Sequence, residues 1–152
     1  MASASSARPK VNPIPAGYHS VTPYLVVADA DLLMQFLKSA FGAQEVLAMR
    51  GPDGVIHHAE AKVGDSIVMM GRAPADYRPQ ATTLQLYVPD VDVVYGAAMS
   101  AGGKSLQEPA DQFYGDRRAG VTDPCGNHWY IATHIEDVSP EEIGRRAAAL
   151  AK

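Results

Sequence analysis

From Ser20 to Ala28 the chain is β-rich, and after Ala28 the period of its apolar positions changes. Leu32, Leu33, Phe36, Leu37 and Phe41 recur at spacings of three, four and five. They put an apolar stripe on a helix from about residue 31 to 41, with Asp29 or Asp31 as its cap and Gly42 as its stop. Glu45 to Met49, Val55 to Val63 and Ser66 to Met70 read as strands, separated by turns at Gly51-Pro52-Asp53-Gly54 and Gly64-Asp65. Residues 72–81, with two prolines and few apolar positions, read as a linker. The order then repeats: a strand Thr82 to Val88, a helix from about 91 to 101, and strands Lys104 to Gln107, Phe113 to Val121 and Asn127 to Thr133. Ser139-Pro140-Glu141-Glu142 is a capping box with proline at the first helical position, opening a last helix through Leu150.

The two halves also match residue by residue. At an offset of 61, Thr22, Leu25, Val27, Asp29, Asp31 and Gly42 meet the identical residue types Thr83, Leu86, Val88, Asp90, Asp92 and Gly103. At 62, Gly64-Asp65-Ser66 meets Gly126-Asn127-His128. Identities at corresponding caps and turns favour duplication of one βαβββ module. The expected fold class is α+β: two tandem modules, about residues 20–71 and 82–135, whose curved mixed sheets surround a cavity. Residues 1–17 are expected to form a flexible lead-in, 18–137 a single domain, and 138–152 the carboxy-terminal helix.

Strand alternation divides the side chains between two faces. Leu25, Val27, Ala59, Ala61, Val63, Leu84, Leu86, Val88, Trp129 and Ile131 are expected on the helix side. Thr22, Tyr24, Val26, His58, Glu60, Thr83, Gln85, Tyr87, His128, Tyr130 and Ala132 are expected on the other, a semi-polar lining suited to a ligand.

Composition narrows the function. The 152 residues are 47% hydrophobic and carry thirteen Lys and Arg against seventeen Asp and Glu, a net charge of -4. One ordinary core suffices at this length, since about 70% of the unfolded surface is typically hidden. The absence of a basic stripe argues against nucleic acid and anionic membranes as partners. No apolar run is long enough to span a bilayer. MASASSARPKVNPIPAG lacks the apolar region of a signal peptide, and Cys125 is the only cysteine, so a cytoplasmic location is expected.

Val88-Pro89-Asp90-Val91-Asp92, Tyr114-Gly115-Asp116-Arg117 and Asp123-Pro124-Cys125-Gly126-Asn127 resemble the vicinal oxygen chelate superfamily, which includes glyoxalase I, bleomycin-resistance proteins and extradiol dioxygenases. Ile56-His57-His58-Ala59-Glu60 and the loop Asp111-Gln112-Phe113-Tyr114-Gly115 look closest to its PhnB-like branch. The resemblance implies a homodimer and, in metal-using members, one ligand from the first and one from the last strand of each module. Those positions fall on Thr22, Thr83, Val68 and Tyr130, with Gln85 as the alternative if the fifth-strand register is shifted by two. Such a set lacks the strong N, S or carboxylate donors a divalent cation requires, so no metal and no other cofactor is predicted.

The catalytic candidates are His58 and Glu60, an acid/base pair two residues apart on one strand; the ligand-binding candidates are Tyr24, His58, Glu60, Gln85, Tyr87, Phe113 and Tyr130. His58 and Glu60 with a third group such as His128 are the alternative metal site. His19 and His134 read as ordinary solvated polar residues, His57 as lying on the face opposite His58 near the helix or edge, Arg117 and Arg118 as surface charge, and Cys125 as incidental. The favoured function is binding of a small molecule, an antibiotic or metabolite held in sequestration, without the usual metal. A lyase, isomerase or dioxygenase-type enzyme using His58 and Glu60, and a dimeric interaction module built on the last helix, are the alternatives.

Overall fold

The computed structural model describes residues 9–152, so residues 1–8 of the expected lead-in lie outside the described residues. The first module is β1 (Tyr24–Val27), α1 (Ala30–Phe41), β2 (Gln44–Arg50), β3 (Ile56–Val63) and β4 (Ser66–Arg72). The second is β5 (Thr83–Tyr87), α2 (Val91–Ser100), β6 (Lys104–Asp111), β7 (Asp116–Thr122) and β8 (His128–His134), and α3 (Pro140–Leu150) follows. Each module forms one four-stranded sheet, in the orders β1-β4-β3-β2 and β5-β8-β7-β6. The β1–β4 and β5–β8 pairs are parallel and the others antiparallel, so both sheets are mixed. The expected α+β pair of βαβββ modules is what the chain forms.

Corresponding caps start the two helices. Asp29 accepts from the Leu32 N–H at 3.0 Å, and Asp90 accepts from the Val93 N–H at 3.2 Å. Their ends differ. Gly42 closes α1 in the left-handed conformation (φ 64°), whereas in α2 that role passes to Gly102 (φ 100°). Gly103, the sequence counterpart of Gly42, serves close approach instead: a Cβ there would lie 2.8 Å from the Ala98 carbonyl oxygen.

Helix-side residues pack as the alternation requires. Leu25, Val27, Ala59, Ala61 and Met70 are buried under Leu33, Phe36 and Leu37 of α1, and Trp129, Ile131, Ala119 and Val121 form the equivalent layer beneath α2. Burial of each large aliphatic or aromatic side chain contributes about 1.5–3 kcal/mol. Phe41 stacks at a tilt on Trp129, 4.9 Å between ring centres, joining the two layers into one core.

Two strand assignments need correction. Phe113 lies in a loop rather than opening a strand, because Gln112 and Gly115 close a tight turn: the Gln112 N–H donates to the Asp116 carbonyl, and the Gly115 N–H to Gln112. Val68 faces the helix. It pairs with Ala61 in the buried layer and is 4% exposed, while its neighbour Met69 pairs with both Glu60 and Tyr24 on the opposite face.

The last helix is capped by Ser139, whose Oγ accepts from the Glu142 N–H at 3.2 Å. Glu142 does not reach back to complete the box; its carboxylate takes Arg145 and Arg146. Arg146 also binds Glu136 through two 2.9 Å bonds and the Phe113 carbonyl at 3.1 Å, fastening α3 to the β6–β7 loop. Among the described residues no helix is long and apolar enough to cross a membrane.

Candidate functional site

On the helix-free face of the first sheet, register brings together residues that sequence separates. Tyr24 and Met69 are cross-strand partners, as are Met69 and Glu60, Leu47 and Glu60, and Met49 and His58. His58 and Glu60, two apart on β3, therefore stand side by side among Leu47, Met49, Tyr24 and Met69. His58 Nε2 is 3.1 Å from Glu60 Oε1, and His58 Nδ1 is 3.0 Å from the Tyr24 hydroxyl. Tyr18, from the segment that precedes β1, donates its hydroxyl to the other Glu60 oxygen.

Burial is the largest single influence on Glu60 and pushes its pKa up, but the hydrogen bonds from Tyr18 and His58 outweigh it and hold the net value below the ordinary one. An ionised Glu60 can only accept. The His58 proton then belongs on Nε2, Nδ1 accepts from Tyr24, and Tyr18 donates from the far side. The same bond to Glu60 raises the Tyr18 pKa. One negative charge thus sits at the centre of an apolar face, with a directional Tyr24–His58–Glu60 relay running to it from solvent. Tyr24 is 49% exposed, and the Glu60 side chain 10%.

The Tyr24 ring lies over Gly71, where a Cβ would come 2.5 Å from the phenol oxygen. Gly71→Ala is therefore expected to push Tyr24 off His58 while changing stability by less than about 1 kcal/mol, since only the end of one exposed side chain must move. Urea unfolding together with the imidazole NMR signals of His58 checks both halves of this expectation.

The remaining candidates lie elsewhere. Gln85 and Tyr87 on β5 join Thr22, Ile67 and Trp129 around a separate cavity of about 520 Å³ between the two modules. Tyr130 lies on the helix-free face of the second sheet, with the Arg118 guanidinium 3.8 Å from its ring centre. Phe113 packs edge-on against Tyr114 in the β6–β7 loop, 5.3 Å between centres. Of the seven ligand candidates, only Tyr24, His58 and Glu60 are joined by hydrogen bonds.

The metal positions can now be read from register. Tyr24 pairs with Met69, and sixty-one residues on Gln85 pairs with Tyr130. Met69 replaces Val68 in the expected set. Thr22 spends its hydroxyl on the His19 carbonyl, and Thr83 pairs with His128 on the second sheet. Phenols, a thioether, an amide and two alcohols do not fit the usual divalent metal. Among the described residues no three His, Cys, Asp or Glu side chains are grouped to hold a metal ion.

Two side-chain networks escaped the sequence reading. His134 is not simply solvated: Nδ1 is 2.8 Å from the buried Asp116 carboxylate and Nε2 is 2.7 Å from Asp137. Tyr87 donates to the other Asp116 oxygen at 2.9 Å. The second network is the Asp123–Asn127 turn, where the buried Asp123 carboxylate accepts from the Cys125 and Asn127 N–H groups, Asn127 Nδ2 and Trp129 Nε1. Cys125 faces the Asp29 carbonyl, and burial pushes its thiol pKa up to about 11, the opposite of nucleophile activation. Arg117 is tied to Asp92 and Asp111, and His57 lies 3.6 Å from Asp53.

Known proteins share this architecture. The chain is 32% identical over 135 residues to the uncharacterized protein Rv0887c of Mycobacterium tuberculosis strain H37Rv, covering 82% of this chain and 79% of the relative. Its structure resembles that of TioX from Micromonospora sp. ML1, with a TM-score of 0.66 and 26% identity over 76% of this chain and 98% of the other. A glyoxalase/bleomycin resistance protein/dioxygenase family enzyme from Burkholderia phytofirmans PsJN, at 20% identity, shares the fold with a TM-score of 0.61 over 76% and 96% of the two chains. The sequence pattern of the Glyoxalase/Bleomycin resistance protein/Dioxygenase superfamily matches residues 17–131, and with the paired βαβββ modules this establishes that the chain belongs to that superfamily.

Proposed function

We propose that this protein binds a small molecule on the helix-free face of its first sheet, without the superfamily's usual metal, and that binding serves to sequester an antibiotic or metabolite. The carrying observation is the Tyr24–His58–Glu60–Tyr18 relay among Leu47, Met49 and Met69. A buried, ionised carboxylate surrounded by apolar side chains favours a ligand with a large apolar surface and a hydrogen-bond donor or positive charge. The exposed Tyr24 hydroxyl supplies orientation. Leu47 and Met49 are 42% and 56% exposed, apolar area that a ligand or a second subunit would cover. The proposal accordingly includes a homodimer of the PhnB-like kind acting in the cytoplasm.

A thermal-shift screen of planar and cationic compounds, followed by calorimetry on the hits, tests this reading. Hits whose affinity falls in Glu60→Gln are expected. Failure of every chemical class to bind contradicts it. The second reading, an acid/base enzyme, rests on the same His58–Glu60 contact: a ligand with a proton beside His58 would exchange it through Nδ1 once Tyr24 moved aside. Turnover of a bound hit, lost in both His58→Gln and Glu60→Gln, favours the enzyme; stoichiometric binding without turnover favours sequestration.

A further inference from the structure

A second groove, of about 470 Å³, opens where the second sheet meets the carboxy-terminal segment. Tyr87 from β5, Asp116 from β7, His134 at the end of β8 and Tyr114 from the β6–β7 loop line one side; Asp137, Ser139 and Ile143 line the other. It shares no residue with the Tyr24–His58–Glu60 relay. Its chemistry also differs, for it combines two carboxylates with two phenol rings around one imidazole. Asp116 is 4% exposed and faces the groove from its floor, and the Asp137 side chain is fully exposed at the rim.

The contacts of His134 suit a cation between these carboxylates. His134 has a hydrogen-bond partner of the same type on each nitrogen, Asp116 at 2.8 Å and Asp137 at 2.7 Å, and only the doubly protonated imidazolium donates to both. The bond to Asp137, then that to Asp116, raises its pKa. Other charged groups around it do not change the balance: Glu136 is neutralised by Arg146, and Arg118 bears on Tyr87 from the same sheet. When His134 loses its proton, two carboxylates are left facing one neutral ring, next to Tyr87 and Tyr114. Carboxylates beside aromatic rings are the combination that recognises ammonium groups.

We propose that this groove is a binding site for a small organic ammonium ion, which takes the place of the half-exposed His134 imidazole between Asp137 and Asp116 and lays its carbon skeleton against Tyr87 and Tyr114, in competition with the proton on His134. The sign follows from the competition. Below the His134 pKa the imidazolium occupies the carboxylates and binding is weak; as pH rises through it the proton leaves and binding strengthens. Linkage requires the reciprocal effect, so that bound amine lowers the His134 pKa.

The test uses the whole protein and phenethylammonium, with 2-phenylethanol as the neutral isostere, followed by NMR of the His134 imidazole and the Tyr87 and Tyr114 rings. Expected are millimolar or tighter binding of the amine and not the alcohol, tightening several-fold from slightly acid to slightly alkaline pH, and a lower His134 titration midpoint when the site is saturated. Asp137→Asn changes an exposed side chain and is expected to weaken binding several-fold. His134→Gln removes the resident cation, so it is expected to tighten acid-pH binding and flatten the pH dependence, whereas a merely structural His134 would give a loss. Equal binding of amine and alcohol, a His134 midpoint unmoved by amine, or unchanged affinity in Asp137→Asn overturns the proposal.

Discussion

Asp123→Ala is expected to lower the unfolding free energy by about 4 kcal/mol, the largest effect of any single substitution considered for this chain. The Asp123 carboxylate is 4% exposed and accepts from two backbone N–H groups, the Asn127 amide and the Trp129 indole. Its removal leaves buried donors without acceptors, each costing about 1–3 kcal/mol before the turn relaxes. The loss spreads because Asn127 Oδ1 accepts from the Thr82 N–H and so holds the start of β5, while Trp129 carries the contact with Phe41 that links the modules. Asp123→Asn retains one acceptor oxygen and is expected to lose roughly half as much. Urea unfolding followed by Trp129 fluorescence measures both; an Asp123→Ala loss below about 1 kcal/mol would show that the turn does not organise the second module.

Glu60→Gln is expected to weaken binding of any ligand found at the first sheet by about ten- to a hundred-fold, equivalent to about 1.4–2.8 kcal/mol. The amide keeps the shape and loses the charge, so the Nε2–H of His58 and the Tyr18 hydroxyl lose their ionised acceptor. A pH signature accompanies this. Because the folded pKa of Glu60 lies below its ordinary value of 4.5, its contribution to stability is present above that value and is lost as pH falls through the lower folded value. Acid titration of unfolding is therefore expected to be less steep in Glu60→Gln than in the parent. Equal steepness, with unchanged ligand affinity, would remove Glu60 from the site.

Most of the architecture was legible because periodicity and caps are local. The change from alternation to helical spacing at Asp29, repeated at Asp90, carries both modules, and the offset of 61 identifies the cross-strand pair Gln85–Tyr130 as the counterpart of Tyr24–Met69. His58 and Glu60 were legible for the same reason, since two residues on one strand face share their surroundings wherever the strand lies. Register between strands was not. Only the β3–β4 turn length decides whether Val68 or Met69 faces Glu60, and one residue of difference exchanges the faces. Tyr18, Asp116 and Asp137 were missed because their partners lie 42, 18 and 3 residues away across the segment before β1, a sheet and a bend whose geometry has no periodic signal. The glycines gave a partial signal: Gly71 accommodates Tyr24, and Gly115, at φ 104°, brings its carbonyl to the Ile135 and Glu136 N–H groups, placing Asp116 next to the carboxy-terminal segment.

A crystal structure of the protein soaked with the tightest compound from the ligand screen tests the central claim most directly. The account predicts ligand density on the helix-free face of the first sheet, in contact with Tyr24 and Met49 and hydrogen-bonded to the His58–Glu60 pair. Density confined to the cavity around Gln85, with the Tyr24–His58–Glu60 bonds undisturbed, or a transition ion coordinated by Thr22, Thr83 or Tyr130, would contradict it.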